Sequence, residues 1–204
     1  DHIWDQKEAY SYLATEKRLL RPHNFPSNTP GSGQAVITHA NGKKVLVLHL
    51  LGQVFIKPHV TCPFACADAL LQGVTLGKTY AAIIVDFHAE ATSEKMAMGK
   101  YLDGRVSAVV GSHTHVPTAD ARVLKKGTAY QTDAGMCGDY DSIIGMKPEG
   151  PMERFLTKIP KAKMEPAEGE ATVCGTLIET DDKTGLAVSC KALQWPKPLG
   201  VHAA

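Results

Sequence analysis

Along the chain, short apolar runs alternate with polar segments rich in glycine and proline. Gln34 to His39 and Lys44 to Leu51 are β-like runs joined at Asn41-Gly42. Asn-Gly between two such runs is a strong hairpin signal. Ala81 to Val85 and Val106 to Val110 are rich in β-branched residues and predict buried strands. Between them, Thr92 to Leu102 places Ala97 and Tyr101, and likewise Met98 and Leu102, four apart on helical faces. Thr92 or Ser93 is the expected cap of that helix. Strand–helix–strand over 81–110 favours a parallel pair with a right-handed crossover.

The flanking segments complete an α/β pattern. Gln6 to Leu20 predicts a helix with Asp5 as its cap. Arg21 to Gly33 holds three prolines and two glycines and predicts a loop. Gln53 to Pro63 is irregular, and Phe64 to Leu71 predicts a helix. Thr128 to Thr132 predicts a short strand leading into Asp133 to Ser142, a loop exposed by its composition. Pro151 to Thr157 predicts a short helix. Thr172 to Thr180 and Leu186 to Leu193 predict a hairpin across Asp181 to Gly185. One α/β domain over 1–204, with a mixed sheet system, is the expected fold.

The candidate chemistry lies at strand ends. Gly111 follows the run at Val110, and it is expected to let the chain turn as the strand ends. His113 and His115 follow, and an extended H-x-H would put both imidazoles on one side. Two solvated loop histidines are the plain alternative. His88 closes the segment after the preceding strand. Ligands collect at the carboxyl ends of strands in open α/β sheets. Three histidines on one edge therefore favour a metal site. Asp86 and Glu90 flank His88, where they could ligate, orient it, or stay solvated. Asp1-His2 pairs a carboxylate with a histidine at the start of the chain, where a solvated terminus is the alternative reading. His49 lies inside a strand pattern and reads as a satisfied core histidine, while His23, His39, His59 and His202 read as surface.

Composition narrows the classes. With 44% hydrophobic and 21% charged residues, the chain is of globular type. A net charge of +1 excludes a broad nucleic-acid footprint, so stable nucleic-acid binding is not expected. No apolar stretch is long enough for a membrane span, and no signal-peptide pattern opens the chain. The 5 cysteines are odd in number and scattered, which argues against a disulfide framework and for a reducing, cytoplasmic setting.

Three segments carry a resemblance. Asp1-His2-Ile3-Trp4-Asp5, Asp86 to Lys95 and Gly111 to Asp120 together resemble the YmdB-like metallophosphoesterases of the calcineurin-like superfamily. Asp133-Ala134-Gly135-Met136 and Asp141 to Met146 are similar to the same family. The resemblance implies an α/β sandwich of two mixed sheets flanked by helices. It implies a phosphodiesterase that opens 2′,3′-cyclic nucleotides with a hydroxide activated by two divalent ions. Those ions would be iron or manganese, with zinc or magnesium as alternatives. It assigns His88 and His113 to one metal and His115 to the other. Asp1 stands where the family has a metal-ligating asparagine, and a carboxylate can ligate as well. His2 matches the histidine that protonates the leaving oxygen, with Asp5 as its support. The partner implied is a small cyclic nucleotide or other phosphodiester, with no membrane; a homo-oligomer is compatible.

One departure bears on activity. The family carries a β-α-β-α segment of roughly sixty to seventy residues before its Asn-His motif. That segment supplies an aspartate, a glutamate that bridges the metals, and an asparagine. The chain is therefore expected to be an N-terminally truncated domain lacking about a quarter of the family fold. Residues 1–204 alone would not assemble a two-metal displacement. A non-catalytic binding module and a mononuclear hydrolase using Asp1, His88 and His113 are the alternatives.

Overall fold

The computed structural model describes residues 6–159, 163–196 and 198–199. Asp1, His2 and Asp5 lie outside the described residues, as does His202. Among those described, the chain forms four helices and nine strands in two sheets. In chain order these are α1 (Glu8–Thr15), β1 (Gln34–Thr38), β2 (Lys44–Leu51), α2 (Pro63–Leu71), β3 (Ala82–His88), α3 (Thr92–Tyr101) and β4 (Ala108–Ser112). They continue with β5 (Arg122–Val123), β6 (Ala129–Gln131), β7 (Cys137–Asp139), α4 (Glu149–Thr157), β8 (Ala171–Thr180) and β9 (Ala187–Trp195).

The larger sheet has the order β1-β2-β3-β4-β6-β5. Its centre, β2 through β4 to β6, is parallel, and β1 and β5 pair antiparallel at its edges. The smaller sheet, β7-β8-β9, is antiparallel throughout among the described residues rather than mixed. The expected α/β sandwich of two sheets is thus present.

Strand alternation builds the layers. On β3, Ile83, Val85 and Phe87 are buried. They join Leu46, Leu48 and Leu50 of β2, Val109 of β4, and Ala67, Leu71, Met98 and Leu102 of the helical layer in the main core. The opposite face meets the second sheet through small side chains. Ala108, Ala129 and Ala187 form that contact, with Ile84, Val110 and Ile178 beside them. Small residues there let the two sheets approach closely.

Several expectations shift by a few residues for visible reasons. α1 is shorter than the polar-apolar pattern of 6–20 suggests, and only Leu13 of its residues is buried. α3 begins at Thr92 with Ala91 at the cap position, and no side chain caps it. Strand β4 runs through Gly111 to Ser112, so Gly111 is not the turn. A Cβ at Gly111 would lie 1.8 Å from the Thr132 carbonyl oxygen. The glycine is needed there for close backbone approach. The 133–142 segment is not an exposed loop. Asp133 is buried, and Cys137–Asp139 pairs with β8. All five cysteines are free thiols.

Candidate active site

The site lies at the carboxyl ends of β3 and β4. Parallel register pairs His88 with Ser112 and Asp86 with Val110. His88 ends β3, and His113 follows β4 by one residue. The two rings meet edge to face, with centroids 5.0 Å apart. His113 Nδ1 stands 3.1 Å from His88 Nε2.

That spacing fits two ligands of one ion. Metal–imidazole bonds of about 2.0–2.1 Å with nitrogens 3.1 Å apart subtend an angle of about 95–100° at the ion. Such an angle suits octahedral or distorted tetrahedral coordination. The residues present therefore fit a divalent cation held by His88 and His113.

His115 is directed elsewhere. Its Nδ1 lies 2.8 Å from the Ile144 carbonyl oxygen, and its side chain is exposed. The H-x-H segment is not extended: φ is +141° at His113 and +65° at His115. Positive φ at two non-glycine residues turns the chain between them. The two imidazoles therefore do not share one side of a strand, as the spacing alone suggests. Because the carbonyl can only accept, His115 Nδ1 carries the proton and Nε2 keeps its lone pair. His115 thus remains able to ligate a separate ion through Nε2. Among the described residues, no group of three or more His, Cys, Asp or Glu converges as a metal site.

The carboxylates flanking His88 take different places. Asp86 Oδ1 accepts from Ser112 Oγ at 3.1 Å, and Ser112 Oγ lies 3.1 Å from His88 Nδ1. Asp86 Oδ2 lies 2.8 Å from His49 Nδ1. Glu90 Oε2 is 4.0 Å from His113 Nε2. His49 is thus a half-buried strand histidine beside a carboxylate, and its Nδ1 makes no hydrogen bond, so it is not the satisfied core histidine that the pattern of β2 suggests.

Electrostatics keeps the imidazoles ready to ligate. Burial pushes His88 down to about 4, and burial with the nearby Lys95 pushes His113 down. Both rings are neutral at neutral pH, the form a metal requires. Burial alone would raise Asp86, but His49 and Ser112 outweigh it and hold the carboxyl below its usual range.

The support beneath the loop leaves no local mark in the sequence. Lys95 Nζ donates to Asp133 Oδ2 at 2.9 Å, and the Thr114 N–H donates to the same oxygen at 2.8 Å. Asp133 Oδ1 accepts from the Gly135 N–H at 2.9 Å. One buried carboxylate therefore fixes the residue between the two histidines. Lys95 and Asp133 both fall within the family-like segments, but nothing local marks them as a buried pair.

Comparison with known proteins bears on the family of the chain. The family model described as YmdB-like protein matches residues 1–193. A Bacillus subtilis (strain 168) protein named 2′,3′-cyclic-nucleotide 2′-phosphodiesterase is 48% identical over 193 residues, covering 95% of this chain and 71% of that protein. A crystal structure of a hypothetical protein from Thermus thermophilus superposes with a TM-score of 0.86 at 42% identity, covering 97% of this chain and 75% of that one. A Mycoplasma pneumoniae structure described as a novel phosphatase gives a TM-score of 0.82 at 34% identity, covering 94% and 68%. With nearly the whole sequence matched and the fold shared, the chain belongs to the YmdB-like family of phosphoesterases.

Proposed function

We propose that the protein containing this chain is a metal-dependent phosphodiesterase acting on 2′,3′-cyclic nucleotides. The observation that carries the reading is the facing pair His88 Nε2 and His113 Nδ1, 3.1 Å apart at the carboxyl edge of the parallel strands. The name of the Bacillus subtilis relative supplies the substrate class. In this reading, His88 and His113 hold one divalent cation with Asp1, and His115 contributes to a second. Iron or manganese is the proposed pair, with zinc or magnesium as substitutes. Such ions supply Lewis-acid neutralisation of phosphate charge and a water acidic enough to attack at neutral pH.

The chain's own residues divide the remaining work. The water oxygen bonds to phosphorus in line as the bond to the ribose O2′ breaks. His2 gives its proton to that leaving oxygen. The product is a 3′-phosphate. Asp5 orients His2. Free thiols throughout support a cytoplasmic setting. Among the described residues, no helix is long and apolar enough to cross a membrane.

The test uses the full natural protein that contains residues 1–204. With manganese it should open 2′,3′-cyclic AMP to the 3′-phosphate, and His113→Ala should lower kcat/KM by about 100-fold or more. Equal turnover after exhaustive chelation, or a 2′-phosphate product, would contradict the reading.

A further inference from the structure

Ser112 occupies a position where only one proton arrangement works. It ends β4, directly opposite His88 in the register of the parallel pair. Its hydroxyl has one hydrogen to give. On one side, 3.1 Å away, is Asp86 Oδ1. On the other, also 3.1 Å away, is His88 Nδ1. An ionised carboxylate can only accept, so the hydroxyl hydrogen goes to Asp86. The Ser112 oxygen must then accept, and His88 Nδ1 must carry a hydrogen. A neutral imidazole has one N–H, which leaves the lone pair of His88 on Nε2. That nitrogen is the one facing His113.

Behind Asp86 stands His49. Asp86 Oδ2 lies 2.8 Å from His49 Nδ1 on the neighbouring strand β2. The β2–β3 register places His49 opposite Asp86. The Oδ2–Nδ1 contact is a close approach without hydrogen-bond geometry, so the hydrogen bond that ties Asp86 to the site is the one from Ser112, which assigns Asp86 to orienting a ligand.

We propose that Ser112 and Asp86, with His49 packed behind the carboxylate, form a positioning relay that locks His88 as the Nδ1–H tautomer and presents Nε2 as a metal donor. The proposal rests on His88 being a ligand, as the functional reading holds, and it names residues which that reading leaves without a role. Ser112 acts through His88, so it is a positioning residue. Such outer partners are worth about 10–100-fold in metal affinity at other sites.

Long-range proton–nitrogen correlation spectra of the metal-free full protein, at a pH where histidines are neutral, read the tautomer of each ring. His88 should show a single species protonated at Nδ1. Ser112→Ala should give a mixture of tautomers, and Ser112→Thr, which keeps the hydroxyl, should restore the single species. Manganese titration should show about tenfold or greater weakening in Ser112→Ala and near-native affinity in Ser112→Thr. Thermal melts of the same variants check that each is folded. An unchanged tautomer in folded Ser112→Ala, or a wild-type His88 protonated at Nε2, would overturn the relay. His88→Ala separates the two readings: unchanged manganese affinity there would remove His88 from the ligand set. The tautomer spectra need no metal and still decide the relay.

Discussion

Lys95 Nζ lies 2.9 Å from Asp133 Oδ2, and both side chains are 1% exposed. The pair joins α3 to the segment after β6, directly under the turn that carries His113 and His115. Asp133 also takes the Thr114 N–H, so the ion pair and the shape of the histidine turn are one construction. A buried charge left without its partner is strongly destabilising. Lys95→Met and Asp133→Leu should each cost about 3–5 kcal/mol in urea denaturation. The double variant Lys95→Met/Asp133→Leu should cost less than the sum, because no uncompensated charge remains. Additive losses would show that the two groups act independently.

Gly111 and Gly175 make a second, sharper contrast. A Cβ at Gly111 would meet the backbone oxygen of Thr132 at 1.8 Å, whereas nothing lies within 4 Å of one at Gly175. Gly111→Ala must push β4 away from the segment after β6, at a cost of about 3 kcal/mol or more. Gly175→Ala on β8 meets no such barrier and should be neutral or stabilise by up to about 1 kcal/mol. Thermal unfolding of the two variants side by side checks this. Equal stability of the two would contradict the close approach.

The parts of the fold legible in the sequence are those written locally. The apolar runs of β2, β3 and β4 announce themselves, since a strand buried on both faces leaves little room for polar residues. Asn41-Gly42 marks the β1–β2 hairpin, and Gly42 does take a positive φ of +81°. His88 and His113 are findable because each follows an apolar run, and parallel pairing then brings the strand ends together. The rest depends on contacts distant in sequence. Lys95 and Asp133 are 38 residues apart, and neither carries a local sign that it is buried. The role of Gly111 depends on Thr132, which only the β4–β6 pairing places beside it. The positive φ of His113 and His115 flanks Thr114, whose N–H is held by the distant Asp133, a contact that the H-x-H spacing does not encode. His49 and Ser112 come into the site through β2–β3–β4 register alone.

Asp120 gives a pH dependence with a definite sign. Burial raises its carboxyl, but hydrogen bonds from Thr132 and Thr118, with Arg122 beside it, outweigh that and hold it at about 2. The Thr132 hydroxyl donates to Oδ2 at 2.6 Å, and the Thr132 N–H donates to Oδ1 at 3.0 Å. The unfolded carboxyl titrates near its ordinary value of about 3.9. Between those values the unfolded state binds more protons, so stability rises with pH. Asp120 therefore stabilises the fold above about pH 4 and loses that contribution as pH falls toward about 2. Asp120→Ala should cost about 1–3 kcal/mol at pH 7. The gap to wild type should narrow on acidification through that window. A gap that stays constant from pH 7 to pH 2 would contradict the assignment.

The central claim is that His88 and His113 together chelate one cation. Calorimetric titration of manganese into wild type, His88→Ala, His113→Ala and the double variant tests it most directly. Shared chelation predicts strong coupling: each single substitution should weaken that site nearly as much as the double. Fully additive losses, or a site of undiminished affinity in the double variant, would contradict it.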